Sequence, residues 1–96
     1  MNVNLTPRAE ADLEAIYAYI STDDPQAAKR VIARILQTIS MLEQFPLLGR
    51  IGRVADTREI SIVRLSYYAV YRIVDEVDIE VISIIHDRQK FPLEEK

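Results

Sequence analysis

Two proline pairs constrain this chain more than any other feature. In Thr6-Pro7, and again in Asp24-Pro25, a side chain that accepts hydrogen bonds stands directly before a proline. The oxygen suits the N-cap, and the proline, with fixed φ and no N–H, suits the first helical position, so each pair predicts a helix start. Behind the first pair, apolar residues recur at Ala9, Leu13, Ile16, Tyr17 and Ile20, on one face of a helix. Glu10, Asp12 and Glu14 lie toward its start, where the helix dipole favours them. Behind the second, Ala28, Val31, Ile32, Ile35, Ile39 and Leu42 form one stripe, and the helix is expected to reach about Phe45. The break between them, Ser21 to Asp24, is only four residues long. Two helices joined that tightly form an antiparallel hairpin.

The rest of the chain changes period. Phe45-Pro46 stops the second helix, because the residue before proline avoids the α region. Pro46 to Thr57 holds both glycines and reads as a loop. Three segments of period two follow, Arg58 to Leu65, Tyr67 to Val74 and Ile79 to His86, and the polar link Asp75 to Asp78 joins the last two as a hairpin. Val3 to Leu5 adds a short edge strand. The expected order is β-α-α-β-β-β, an α+β fold with the helical hairpin packed on an antiparallel sheet. At 96 residues, 49% apolar and 28% charged, the whole chain, 1–96, is expected to form a single domain.

Composition excludes several classes of function. There is no cysteine, so neither disulfides nor thiolate metal sites are available, and a single histidine leaves no conventional zinc site. No cofactor is expected. The start, MNVNLTPRAEADL, lacks the pattern of a signal peptide, and no apolar run is long enough to span a membrane, so a cytoplasmic location is expected. The net charge of −3 argues against a general polyanion binder, and no direct DNA binding is expected of the chain alone. The charge is nevertheless uneven. Between Pro46 and Val74 five arginines (50, 53, 58, 64 and 72) face only Asp56 and Glu59. Arginine suits bidentate contacts to carboxylate or phosphate, so this bias reads either as a recognition surface or as chance in a short segment.

Strand alternation limits which charges can meet. Ile60 and Ile62 share a face with Arg58 and Arg64; Val70 and Val74 share one with Tyr68 and Arg72; Ile82 and Ile84 share one with His86 and Arg88. Arg58 reads as an anchor for the loop before it. Arg64, Arg72 and Arg88 are candidates for functional contacts, with a solvated rim as the plain alternative. His86, the lone imidazole, is either a hydrogen-bonded strand-end residue or a proton carrier. For Tyr67, Tyr68 and Tyr71, packing on a sheet competes with base stacking.

Four blocks of the chain carry a family likeness. LTPRAEADLEAIYAYI, FPLLGR, DTREISIVRLSYYAVYRI and VISIIHDRQKFP, in this order and spacing, resemble the RelE/ParE toxin superfamily. Ser66 departs from the pattern, standing where many relatives carry proline. The resemblance implies the toxin of a bacterial type II toxin–antitoxin module, of the kind called plasmid stabilisation proteins, neutralised by a cognate ParD-like antitoxin. Members of the superfamily divide by target: RelE-like ones resemble ribosome-dependent endoribonucleases of messenger RNA, and ParE-like ones poison DNA gyrase. A shared fold does not choose between them. The ending I-x-x-x-H-x-R and the block T-R-E-x-x-x-x-R-x-x-Y-x-x-x-Y-R look more like the ParE side. Metal-free RNA cleavage needs a base, an acid and cations around the phosphate. The strands offer Arg64, Arg72, His86 and Arg88 with the tyrosines, no lysine, and Asp87 beside His86. The expectation is a gyrase poison rather than an enzyme, with those four residues contacting the target. In the alternative, a ribonuclease, the same four would be catalytic.

Overall fold

The computed structural model describes residues 1–89. Of the resemblance block that closes the sequence, Lys90, Phe91 and Pro92 lie outside the described residues. Strand β1 (Asn2–Leu5) leads into helices α1 (Pro7–Ser21) and α2 (Pro25–Ser40), the latter tightening into a 3-10 turn at Met41–Glu43. Strands β2 (Arg50–Ile51), β3 (Arg58–Ser61), β4 (Tyr67–Ile73) and β5 (Asp78–His86) follow. Both proline pairs act as expected. Thr6 accepts a hydrogen bond from the Ala9 amide at 3.1 Å, and Asp24 accepts from the amides of Gln26 and Ala27, each at 3.1 Å. Caps of this kind each stabilise a helix by about 1 kcal/mol. Among the described residues no helix is long and apolar enough to cross a membrane.

The fold is α+β, with the helical hairpin on one face of a five-stranded sheet ordered β1-β5-β4-β3-β2. The sheet is mixed, not purely antiparallel. Strands β2 to β5 pair antiparallel, but β1 runs parallel to β5, from Asn2 opposite Asp78 to Leu5 opposite Val81. A parallel neighbour needs a long crossover, and here everything from α1 to β4 supplies it.

Two strands differ from their sequence reading. The segment Arg58 to Leu65 leaves the sheet after Ser61 and turns through Ile62–Ser66. In that turn Ile62 donates its amide to the Tyr67 carbonyl at 2.9 Å, and Arg64 takes a positive φ of 67°. Arg64 therefore does not share a strand face with Ile60 and Ile62. In β5 the register slips: Val70 faces Ser83 but Tyr71 faces Val81, which leaves Ile82 as a bulge. The extra residue reverses the alternation. Ile84 joins the helix-side core, while Ile82 packs on the other face against the cluster of Tyr68, Val70 and Ile85, so the expected pairing of Ile82 with Ile84 fails.

The main core gathers Ala9, Ile35, Ile39 and Leu42 from the helical layer over Ile60, Ile62, Ala69, Tyr71, Ile79, Val81 and Ile84 from the sheet and its turn. On the opposite face Val54 covers Tyr68, and the Arg53 guanidinium lies 5.8 Å from the centre of the Tyr68 ring. Tyr71 ties the long loop to the core. Its hydroxyl donates to the Pro46 carbonyl at 2.7 Å and accepts from the Gly49 amide at 2.9 Å. A Cβ on Gly49 would stand 2.7 Å from the Tyr71 ring, so this approach requires glycine.

Candidate functional site

The site around His86 follows from where β1 stops. Beyond Val81, among the described residues, the outer edge of β5 has no strand beside it, and the start of α1 satisfies part of that edge. Thr6 donates its amide to the Val81 carbonyl at 3.0 Å and its hydroxyl to the Ile82 carbonyl at 2.8 Å. Nearly two turns beyond Thr6, Asp12 Oδ2 accepts from the Ser83 hydroxyl at 2.6 Å and from the Ile84 amide at 3.0 Å. Asp12 thus holds α1 against a bulged strand whose backbone would otherwise lack a partner. Past Asp12 the helix and strand diverge and open a groove of about 530 Å³, bordered by Asp12, Ile16, Tyr19, Tyr67, His86 and Arg88.

His86 is held on two sides in this groove. Its ring meets Tyr67 edge to face, centroids 5.2 Å apart and planes at 82°. Its Nδ1 accepts the Arg88 amide at 3.1 Å, which makes Nε2 the protonated nitrogen of the neutral ring. Beyond it, Asp87 donates its amide to the Ser66 carbonyl and Gln89 its amide to the His86 carbonyl, both at 2.8 Å. Burial, with the nearby Tyr19 phenol, pushes the Tyr67 hydroxyl above its usual range. At neutral pH the groove therefore offers a phenol that donates hydrogen bonds, not a phenolate base.

The four residues singled out in the sequence do not meet. His86 and Arg88 line the groove. Arg64 is at the same end of the sheet but across it, beside α2 in the β3–β4 turn. Arg72 stands five residues beyond Tyr67 on β4, about 16 Å along the strand. It is occupied there by Glu80, its Nη2 3.2 Å from Oε1. Most of the arginine excess proves to be internal. Glu59 is 2% exposed; it accepts from Arg50 Nη2 at 2.9 Å and from the Arg53 amide at 3.2 Å, with Arg53 Nε 3.9 Å away. Arg58 donates to the Gly49 carbonyl at 2.8 Å, as befits a loop anchor. Sequence reasoning missed Asp12, taken for a dipole residue, and the grouping of Arg64 with Arg30 and Arg34 on α2. A visible signal existed for the second: Pro25 to Leu42 contains Lys29, Arg30 and Arg34 and no carboxylate. Among the described residues no group of three or more His, Cys, Asp or Glu gathers where it could hold a metal ion.

Residues 3–91 match the model of a family described as the ParE toxin of the type II toxin–antitoxin system, parDE. The chain belongs to the ParE toxin family. A protein of Sinorhizobium fredii named "Putative toxin Y4kP" is 40% identical over 90 residues, 94% of this chain and 92% of that one. The chromosomal ParDE system from P. aeruginosa includes a chain with the same fold, at a TM-score of 0.80 and 27% identity over 90% of this chain and 95% of that one. The RelBE2 complex from Mycobacterium tuberculosis includes another, at 0.66 and 24% over 88% and 95%. At that identity the likeness shows the fold alone. Chains from ParDE and RelBE systems thus share this fold, and the fold alone does not choose a target.

Proposed function

We propose that this ParE-family toxin arrests growth by binding DNA gyrase in the cytoplasm, without chemistry of its own, and that a cognate ParD-like antitoxin neutralises it. The observation that carries the reading is the dispersal of the four candidate residues. Phosphoryl transfer from RNA needs a proton acceptor, a proton donor and cations around one phosphate. Arg72 is ion-paired about 16 Å along the strand from Tyr67, and Arg64 is across the sheet. That leaves in the groove one imidazole, the Tyr67 phenol and Arg88, with the carboxylate that lines it, Asp12, already accepting two hydrogen bonds. Such a set suits contact better than catalysis. The ParE-side likeness of the sequence points the same way. In this reading Arg64, His86 and Arg88, at one end of the sheet, touch the target, and Arg72 contributes little.

Two assays on the purified toxin test this: gyrase supercoiling with DNA cleavage, and primer extension on ribosomes with messenger RNA. Inhibited supercoiling without new RNA cuts is the expected result. Ribosome-dependent cuts would replace the reading with that of a ribonuclease. Co-expression of the adjacent small gene is expected to restore growth and give a copurifying complex; harmless expression with no complex would remove the toxin–antitoxin assignment of this chain.

A further inference from the structure

The turn that follows β5 is gripped from both faces of the sheet. Consecutive residues of a strand point to opposite sides, and Tyr67 and Tyr68 of β4 do so here. On the helix side the Tyr67 ring meets the His86 imidazole edge to face. On the other side the Tyr68 hydroxyl donates to the Gln89 carbonyl at 3.2 Å. The two tyrosines thus hold the two ends of the segment that carries Arg88. Within that segment the Arg88 amide donates to His86 Nδ1 and the Gln89 amide to the His86 carbonyl, so a shift of Gln89 also turns the imidazole.

Tyr68 is held in its turn by the loop before β3. It is buried, Val54 packs on its cluster, and the Arg53 guanidinium lies 5.8 Å from its ring centre. What fixes this part of the loop is Glu59, whose carboxylate accepts from the Arg53 amide and the Arg50 guanidinium, with Arg53 Nε 3.9 Å away. Glu59 is buried as well. A buried ion pair is a poor source of stability, because desolvation offsets much of the attraction, and an apolar replacement is often neutral or better. Stability alone therefore does not account for a carboxylate here. Its geometry does: it aims Arg53 and Val54 at Tyr68.

We infer that Glu59 and Tyr68 are positioning residues for the His86–Arg88 contact surface. Glu59 fixes the cover made by Arg53 and Val54, the cover fixes Tyr68, and Tyr68 fixes the turn that presents Arg88 and orients His86. Both are buried, so neither is itself a contact. The inference rests on the reading of that surface as the one that meets the target, but its structural half is measurable in the free protein.

Tyr68→Phe removes one hydroxyl and keeps the ring; Glu59→Gln keeps the shape and removes the charge. In the isotope-labelled free protein, both are expected to speed hydrogen exchange of the Arg88 and Gln89 amides while those of β4 keep their protection. Both are also expected to move the imidazole nitrogen resonances away from those of the Nε2–H tautomer. In gyrase supercoiling, and in growth arrest titrated by inducer, each is expected to need roughly three- to tenfold more toxin, the scale of one hydrogen bond. The double variant is expected to lose no more than the worse single one, because both act along one route. Val70→Ala opens the same apolar cluster without touching the phenol, and is expected to lower the thermal midpoint with potency unchanged. Unmoved Arg88 and Gln89 resonances in Tyr68→Phe, additive losses in the double variant, or potency that follows the thermal midpoint across all variants would overturn the inference. If Glu59→Gln fails to fold, Arg53→Ala, at a half-exposed side chain, takes its place beside Tyr68→Phe. A wild type that arrests growth without inhibiting gyrase would remove the proposed target, and the resonances with plating would still decide the positioning.

Discussion

At the scale of single residues, one tyrosine joins the loop, the sheet and the pH response. The Tyr71 hydroxyl links the Pro46 carbonyl and the Gly49 amide. Tyr71→Phe leaves both without that partner and is expected to cost about 1–3 kcal/mol in urea unfolding. Burial pushes the Tyr71 hydroxyl above its ordinary 10.0, with the Gly49 amide and Arg58 opposing in smaller measure. The folded protein therefore keeps this proton when the unfolded chain has released it. The resulting stability is intact below pH 10 and is lost as pH rises through the folded-state value. Unfolding series from about pH 8 to about pH 11 are expected to show this decline in the native chain and a shallower one in Tyr71→Phe. His86 gives a prediction of another kind. A general acid or base replaced by glutamine typically loses roughly 10²- to 10⁴-fold in rate. A contact residue loses one hydrogen bond, about 0.5–1.5 kcal/mol. His86→Gln is expected to retain most growth arrest and gyrase inhibition, measured by plating and supercoiling.

Elements were legible in the sequence to the extent that their causes were local. Thr6-Pro7 and Asp24-Pro25 fix both helix starts through contacts spanning two or three residues. The parallel pairing of β1 was not legible, because Asn2 and Asp78 are 76 positions apart and a short strand does not specify its neighbour. The bulge at Ile82 was hidden by composition, since isoleucine suits either face of a strand and gives no sign of which one it lines. The arginine bias was plain to read, but its meaning was not: Arg50 and Arg53 serve a buried Glu59 that only the β2–β3 register brings to them. The groove beside His86 depended on all of these, and on Asp12 above all. Asp12→Ala removes the acceptor for Ser83 and Ile84, and the expected cost is about 1–3 kcal/mol. The more specific readout is hydrogen exchange, in which the Ile84 amide is expected to lose protection well before the amides of β4 do.

Over the whole molecule, β5 lies between β4, its neighbour in sequence, and β1, from the opposite end of the described chain. The hairpin of β4 and β5 closes over a short link, whereas β1 must be captured across nearly the full length, an entropically slower event. Val3→Ala, in β1, is therefore expected to quicken unfolding while leaving the folding rate within about twofold, as stopped-flow tyrosine fluorescence would report. The same topology bears on synthesis. A nascent chain halted before Asp78 has made β1, both helices and β4, but not the strand that unites them. It presents neither the His86 groove nor the sheet end beside Arg64. The described sheet of this ParE-family chain can therefore close only once the segment carrying His86 has left the ribosome.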